Sequence, residues 1–363
     1  MLKYTLRRLL QAIPTFFGIT LISYFLVWAA PGDPVARLFF GPNIRPEAKE
    51  RLSAQLGLND PVHIQYLRWL LGDDWMRRDT DGDGIADTSI ILPLDADGDG
   101  EPEPPGQNKG ILRGDFGNSF LKRRPAWGFV AQHIPATLEL GLSALLVSLL
   151  VGVPVGVLSA VGRGGVFDNS SRVMAVILNA VPGFWLGLML ILIFGSQLGV
   201  LPMGSQCEVT LTGTCPPIYQ RIKFLLLPTI TLAAANIAIF SRYTRAAMLE
   251  ILEQDYVRTA RAKGLTSQYV YFKHALRNAL IPVATLLGQT IPILIGGAVV
   301  TETIFSWPGV GRVGVDAVIQ QDFPVTMTVV ILTSIATILG FLLSDLLYAV
   351  IDPRVRLDGS GGG

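Results

Sequence analysis

Six long apolar runs govern what this chain can fold into. They cover residues 9–30, 134–161, 173–198, 224–240, 280–300 and 325–351. A helix rises about 1.5 Å per residue and a membrane span takes about 17–25 apolar residues, so each run is long enough to cross a bilayer. Charged residues make up 16% of the chain and its mean hydropathy is +0.46, whereas a soluble domain carries roughly a quarter charged residues. The expectation is an all-α polytopic membrane protein with six transmembrane helices. The start, MLKYTLRRLL, has the basic-then-apolar outline of a secretion signal. Its apolar part is longer than a signal core and five more runs follow, so an uncleaved helix is expected.

Basic residues in short loops set the orientation. Lys3, Arg7 and Arg8 precede the first run, and Arg163 and Arg172 flank the link between the second and third. Arg242, Arg245, Arg258, Arg261, Lys263, Lys273 and Arg277 fall between the fourth and fifth, and Arg354 and Arg356 follow the sixth. If six spans alternate, all four regions share one side, and that side is cytoplasmic. Both termini are then cytoplasmic, in a multi-pass protein of the cell's inner membrane. A sizeable extracytoplasmic region, residues 31–133, is expected between the first and second spans. The membrane core would run from 134 to 351, ahead of a tail, 352–363, whose GSGGG ending reads as an appended linker.

Several chemistries lack their residues. A phosphate-cradling P-loop needs a lysine followed by Ser or Thr, and no lysine here is followed by either. Ion-coupled carriers bury ionisable groups at mid-membrane. Here Glu139, Glu302 and Asp345 fall toward span ends, while Asn179, Asn236 and Gln289 suit helix–helix hydrogen bonding. His63, His133 and His274 are scattered, without metal spacing. The chain is not expected to be an enzyme, and nothing suggests nucleic-acid binding. The fifth run holds Pro282, Gly288, Pro292, Gly296 and Gly297. These suit either a kinked pathway helix or close packing of small residues, and both readings stay open. Gly152, Pro154 and Gly156 in the second run, and Pro182, Gly183 and Gly187 in the third, repeat the theme.

Between the fourth and fifth runs, residues 255–263 predict a short helix stopped by Gly264, with Thr266 placed to cap a second helix running into the fifth run. Tyr256, Ala260 and Gly264 recur every four residues as one narrow face. Arg258, Thr259, Arg261, Ala262 and Lys263 cover the rest. Such a helix suits a groove in a partner protein; a solvated link between spans is the alternative.

This segment, 256–265, with His274-Ala275-Leu276-Arg277-Asn278-Ala279-Leu280-Ile281-Pro282 after it, resembles the EAA loop of ABC importer permeases. The likeness is greatest to the peptide/nickel subfamily, in its first, B-type, permease subunit. Further blocks agree along nearly the whole chain, among them Pro31-Gly32-Asp33-Pro34, Gly114-Asp115-Phe116-Gly117-Asn118-Ser119 and Pro135-Ala136-Thr137-Leu138-Glu139-Leu140. Another is 302–312, with Trp307, Pro308 and Gly309. The resemblance implies a type I ABC importer permease fold, in which residues 256–264 couple to an ATP-binding subunit. Pro292, Gly296, Gly297, Trp307, Pro308 and Gly309 would lie along the pathway or its outer gate. It implies a C-type permease partner, two subunits that bind the ATP, an extracytoplasmic binding protein, and surrounding lipid. Arg258 stands where the general motif has Glu, and Arg277 where it has a later proline. The ligand implied is a di- or oligopeptide; nickel, opines or oligosaccharides are alternatives within the class. An ion-coupled carrier and a membrane-anchored calcium-binding scaffold are the rivals outside it.

Residues 73–110 are an acidic insertion that the resemblance does not predict. Asp79, Asp81, Asp83 and Asp87 recur sixteen residues on as Asp95, Asp97, Asp99 and Glu103. Alternating carboxylates before a glycine match the first half of a calcium loop, although the acid usual at its twelfth position is missing. Structural Ca2+ and an unliganded acidic insert are the two readings. Cys207 and Cys215, the only cysteines, share a short outer loop, where an oxidising face favours a disulfide.

Overall fold

The computed structural model describes residues 2–30, 61–72, 77–78, 88–89, 109–208, 215–296 and 298–351. The described chain is mostly helical. In order come α1 (Leu2–Ala29), α2 (Val62–Leu71), a two-stranded antiparallel ribbon of β1 (Arg77–Arg78) and β2 (Thr88–Ser89), α3 (Ala126–Ala131) and α4 (Ile134–Val161). Next are α5 (Val166–Ala180), α6 (Gly183–Leu190), α7 (Ile218–Leu252) and α8 (Asp255–Ala262). The chain ends with α9 (Leu276–Gly296), α10 (Val299–Ile304), α11 (Val310–Ile319) and α12 (Phe323–Ile351).

Among the described residues, four helical stretches are long and apolar enough to cross a membrane: Arg8–Ala29, Ala126–Val161, Ile218–Leu252 and Phe323–Leu343. The third expected span differs. Instead of one helix over 173–198, α5 and α6 meet at a bend of 99° and make a fifth span only if counted together. The cause is local. Proline disfavours the helical region for the residue before it, and Val181 (φ −74°, ψ 123°) and Pro182 (φ −60°, ψ 132°) are both extended. Helix α6 then continues as a π-helical turn, Ile191–Gln197. The fifth expected span, 280–300, overlaps α9 (Leu276–Gly296), which is not among those four stretches.

Two compact units are present. In the unit formed by Met1–Pro14, His133–Val313 and Leu332–Gly363, α4 packs against α7 through small residues. A Cβ on Gly156 would lie 2.6 Å from the Ser241 carbonyl oxygen and 2.7 Å from Thr244 Cβ; one on Gly152 would lie 3.0 Å from the Ile237 oxygen. Two glycines four apart let helix backbones approach closely in a membrane, where packing and hydrogen bonds drive association. Ser143 and Thr229 add a 2.7 Å hydrogen bond across the seam.

The second unit, Thr15–Gln132 with Gly314–Ile331, is built on aromatic contacts. Tyr24 meets Tyr66, Trp69 and Phe323 with ring centroids 5.4, 5.4 and 5.1 Å apart. Ser119 donates to the Asp322 carboxylate, which also accepts the Phe120 amide at 3.2 Å.

Candidate functional site

The basic segment after α7 forms the helix expected of it. Gln254 enters with extended backbone, Asp255 opens α8 and Lys263 closes it. Gly264 takes φ +76°, a left-handed conformation that costs glycine little and ends the helix. Thr266 (φ −61°, ψ 144°) begins the next run without a side-chain cap. That run passes through Ser267–Tyr269 and a π-helical turn, Val270–Ala275, into α9.

The face expected to meet a partner is divided. Val257 is fully buried and Ala260 is 7% exposed. Both pack with Val270, Ile251 and Leu252 of the same chain. Tyr256 remains exposed, and its hydroxyl accepts Asn278 Nδ2 at 2.9 Å. Arg258, Thr259, Arg261, Ala262, Lys263 and Gly264 are exposed and form the outer edge available to another protein. Four-residue spacing identified a face of α8 without showing which part its own neighbours cover. The Arg258–Asp255 pair, 3.3 Å apart and largely exposed, contributes little to stability. Lys273 lies 4.6 Å from the Tyr269 ring centroid and also donates to its hydroxyl.

The block at 302–312 folds around one carboxylate. Glu302 is fully buried. Its Oε1 accepts the Thr137 hydroxyl at 3.0 Å, and its Oε2 accepts the Arg312 amide at 2.9 Å. The Thr137 oxygen in turn accepts the Val310 amide at 2.8 Å. Burial pushes the Glu302 carboxyl above the ordinary range, against the lowering effect of these donors. Ser306 at φ +50° turns the chain and directs Trp307 inward. Trp307 is fully buried, donates Nε1–H to the Ala136 carbonyl at 2.8 Å, and packs with Ala136, Leu140 and Leu225. Gly309 donates its amide to the Trp307 carbonyl at 2.8 Å. Trp307 is thus seated against α4, and Gly309 lies against the Glu302 carboxyl. Pro292 and Gly296 sit within α9, and Gly297 lies outside the described residues.

Beside this block, Glu139 Oε2 accepts Arg221 Nη2 at 2.9 Å and Gln206 Nε2 at 2.7 Å. A Cys207–Cys215 disulfide closes the loop next to Gln206, with Cα atoms 5.7 Å apart. The eight acids expected to hold calcium, Asp79, Asp81, Asp83, Asp87, Asp95, Asp97, Asp99 and Glu103, lie outside the described residues. Among the described residues no group of three or more His, Cys, Asp or Glu is placed to hold a metal.

One constellation was not anticipated. Asp168 of α5 and Arg245 of α7 form a two-pronged ion pair, Nε–Oδ1 2.6 Å and Nη2–Oδ2 2.8 Å. They are 77 residues apart, and an acid at a helix start is ordinary, so the sequence carried no signal of their pairing.

The sequence profile described as "Binding-protein-dependent transport system inner membrane component" matches residues 152–357. Its N-terminal companion, "Binding-prot-dependent transport system membrane comp, N-term", matches residues 1–87. The chain is 38% identical over 357 residues to the oligopeptide transport system permease protein AppB of Bacillus subtilis (strain 168), covering 98% of this chain and 100% of that one. It is 37% identical over 374 residues to the dipeptide transport system permease protein DppB of Escherichia coli (strain K12), covering 98% and 99%. The glutathione transport system permease protein GsiC of Salmonella paratyphi A is 35% identical, at 98% and 99% coverage. A solved inward-facing structure of the MetNI methionine ABC transporter aligns with TM-score 0.50 and 20% identity, over 62% of this chain and 96% of that one. That likeness concerns the fold alone.

Proposed function

The chain belongs to the family of inner-membrane components of binding-protein-dependent transport systems, and from that premise we propose that it is the B-type permease subunit of an ATP-driven importer. It forms half of a translocation pathway for di- or oligopeptides. The observation that carries this reading is the match, along nearly its full length, to permeases named for oligopeptide and dipeptide transport. As a permease it is a non-catalytic membrane component, and its work is conformational.

In this reading α8 receives the closure of an ATP-binding subunit through its exposed edge, Arg258, Thr259, Arg261, Ala262, Lys263 and Gly264. The buried Val257 and Ala260 pass that movement into α7. A homologous C-type permease supplies the other half of the pathway, two ATP-binding subunits drive it, and a binding protein delivers ligand outside. Counting α9 and the bent α5–α6 pair as spans brings the total to six. Both termini are then cytoplasmic, in the inner membrane, and residues 31–133 are extracytoplasmic. Pro292, Gly296, Gly297 and the Trp307-Pro308-Gly309 turn are assigned to the pathway and its outer gate. The insertion at 73–110 is assigned to structural calcium.

Gentle extraction of the chain from its native membrane tests this. Two ATP-binding subunits and a second permease should co-purify, and the matching binding protein should carry a peptide. A chain that purifies without ATP-binding subunits, or that transports alone under an ion gradient, contradicts the reading. Nickel, an opine or an oligosaccharide on the binding protein would keep the class and change the ligand.

A further inference from the structure

Asp168 joins three helices of the first unit. Its side chain is 1% exposed. It accepts the Ser159 hydroxyl of α4 at 2.6 Å, the Gly164 amide of the α4–α5 link at 2.9 Å, and both prongs of Arg245 from α7. Ser171, one turn along α5, has its hydroxyl 2.9 Å from the Asp168 carbonyl oxygen and 3.1 Å from Ser159 Oγ, with a single proton to share between them. The arrangement uses both carboxylate oxygens and fixes the angle of the guanidinium, which a single-point contact would leave free.

The same stretch of α7 touches the docking helix. Met248, three residues beyond Arg245, packs with Val157 and Ala160 of α4. Ile251 and Leu252 pack against Val257 and Ala260 of α8. From Arg245 to Leu252 is about 10 Å of helix, with no break in α7 between them. We propose that Asp168 and Arg245 are positioning residues that bind α5 to α7 and α4, so that α5 moves as one body with α8 when the ATP-binding subunits close. The proposal rests on the reading of α8 as the docking helix. Arg163–Glu253, 3.2 Å apart, spans the same region, but its side chains are 65% and 70% exposed. Such a pair is worth little and serves as an internal control.

The test uses the complete transporter in proteoliposomes. Spin labels at Asn169 on α5 and Gln254 at the head of α8, both exposed, should report the same separation without nucleotide and in an ATP-trapped state. Asp168→Asn should leave ATP hydrolysis in place and lower peptide taken up per ATP by about tenfold, within the usual range of coupling between sites. Arg245→Lys keeps the charge but loses the fork, and should lower the ratio by about fivefold. Glu253→Gln should not change it. A wild-type separation that shifts between the two states contradicts the proposal, as does an unchanged ratio in Asp168→Asn. If that variant does not assemble, Arg245→Lys and the wild-type separations decide. Failure of the underlying reading looks different, because the wild-type complex would then show no ATP-dependent uptake.

Discussion

A Cβ placed on Gly309 would lie 2.2 Å from both Cδ and Oε1 of Glu302 and 2.5 Å from Oε2. The backbone of the 307–309 turn is pressed against a buried carboxylate, which is held in place by Thr137 and Arg312. Gly309→Ala must therefore displace either the turn or the carboxylate. Overpacking of this kind costs about 1–3 kcal/mol. The purified complex should melt several degrees lower, while Gly128→Ala, where nothing lies within 4 Å of the added carbon, should not change it. Equal melting of the two variants would show that the contact is not tight.

Glu302 also makes the 302–312 block sensitive to pH. Its folded pKa is raised, chiefly by burial, so the folded form holds a proton more firmly than the unfolded chain. The associated stability is complete below the ordinary carboxylate value, about 4.3, and is lost as pH climbs through the raised folded value. Glu302→Gln cannot titrate and should flatten this part of the melting curve against pH. Parallel curves for wild type and variant would assign the dependence to other groups.

Ala260 and Ala262 lie on the same short helix and should respond differently. Ala260 packs inside the chain and Ala262 is exposed. A charge at 260 would be buried without a partner, at a cost of several kcal/mol, and should reduce assembled complex in the membrane. Ala262→Arg should preserve assembly and alter the coupling of ATP hydrolysis to uptake. Quantitative blotting and the hydrolysis-to-uptake ratio separate the two effects. Normal assembly with Ala260→Arg would contradict the burial.

How much of this was legible in the sequence depended on how local each cause is. The spans could be read because hydropathy accumulates over neighbouring residues; α4 spans Ile134–Val161 as expected. Gly264 marked the end of α8 because its left-handed φ is a property of that residue. The break at Val181–Pro182 was hidden by an apolar run that continues straight through the proline. The burial of Ala260 depends on Val270, ten residues on, and on the end of α7, which helical spacing does not reveal. The Asp168–Arg245 pair and the Thr137–Glu302 contact, across 165 residues, exist only once helices are placed.

The acidic insertion gives a prediction independent of transport. The eight acids of the paired repeats, with Glu101 beside them, repel one another between 79 and 103, and a divalent cation would remove that repulsion. With the twelfth-position acid missing, affinity should fall near 10⁻⁴–10⁻³ M, roughly that of extracellular modules. The full chain in detergent should bind calcium calorimetrically in that range, and Asp81→Asn with Asp97→Asn should abolish the heat. No heat at several times that concentration would leave the segment an unliganded acidic insert.

The central claim, a permease that moves peptide only when ATP is hydrolysed beside it, is tested most directly by uptake. The complete transporter is placed in proteoliposomes with ATP inside, and the binding protein and a radiolabelled dipeptide outside. The account predicts that label accumulates with ATP and stops when ATP is replaced by a non-hydrolysable analogue or when the binding protein is omitted. Accumulation that continues under an ion gradient without ATP would contradict it.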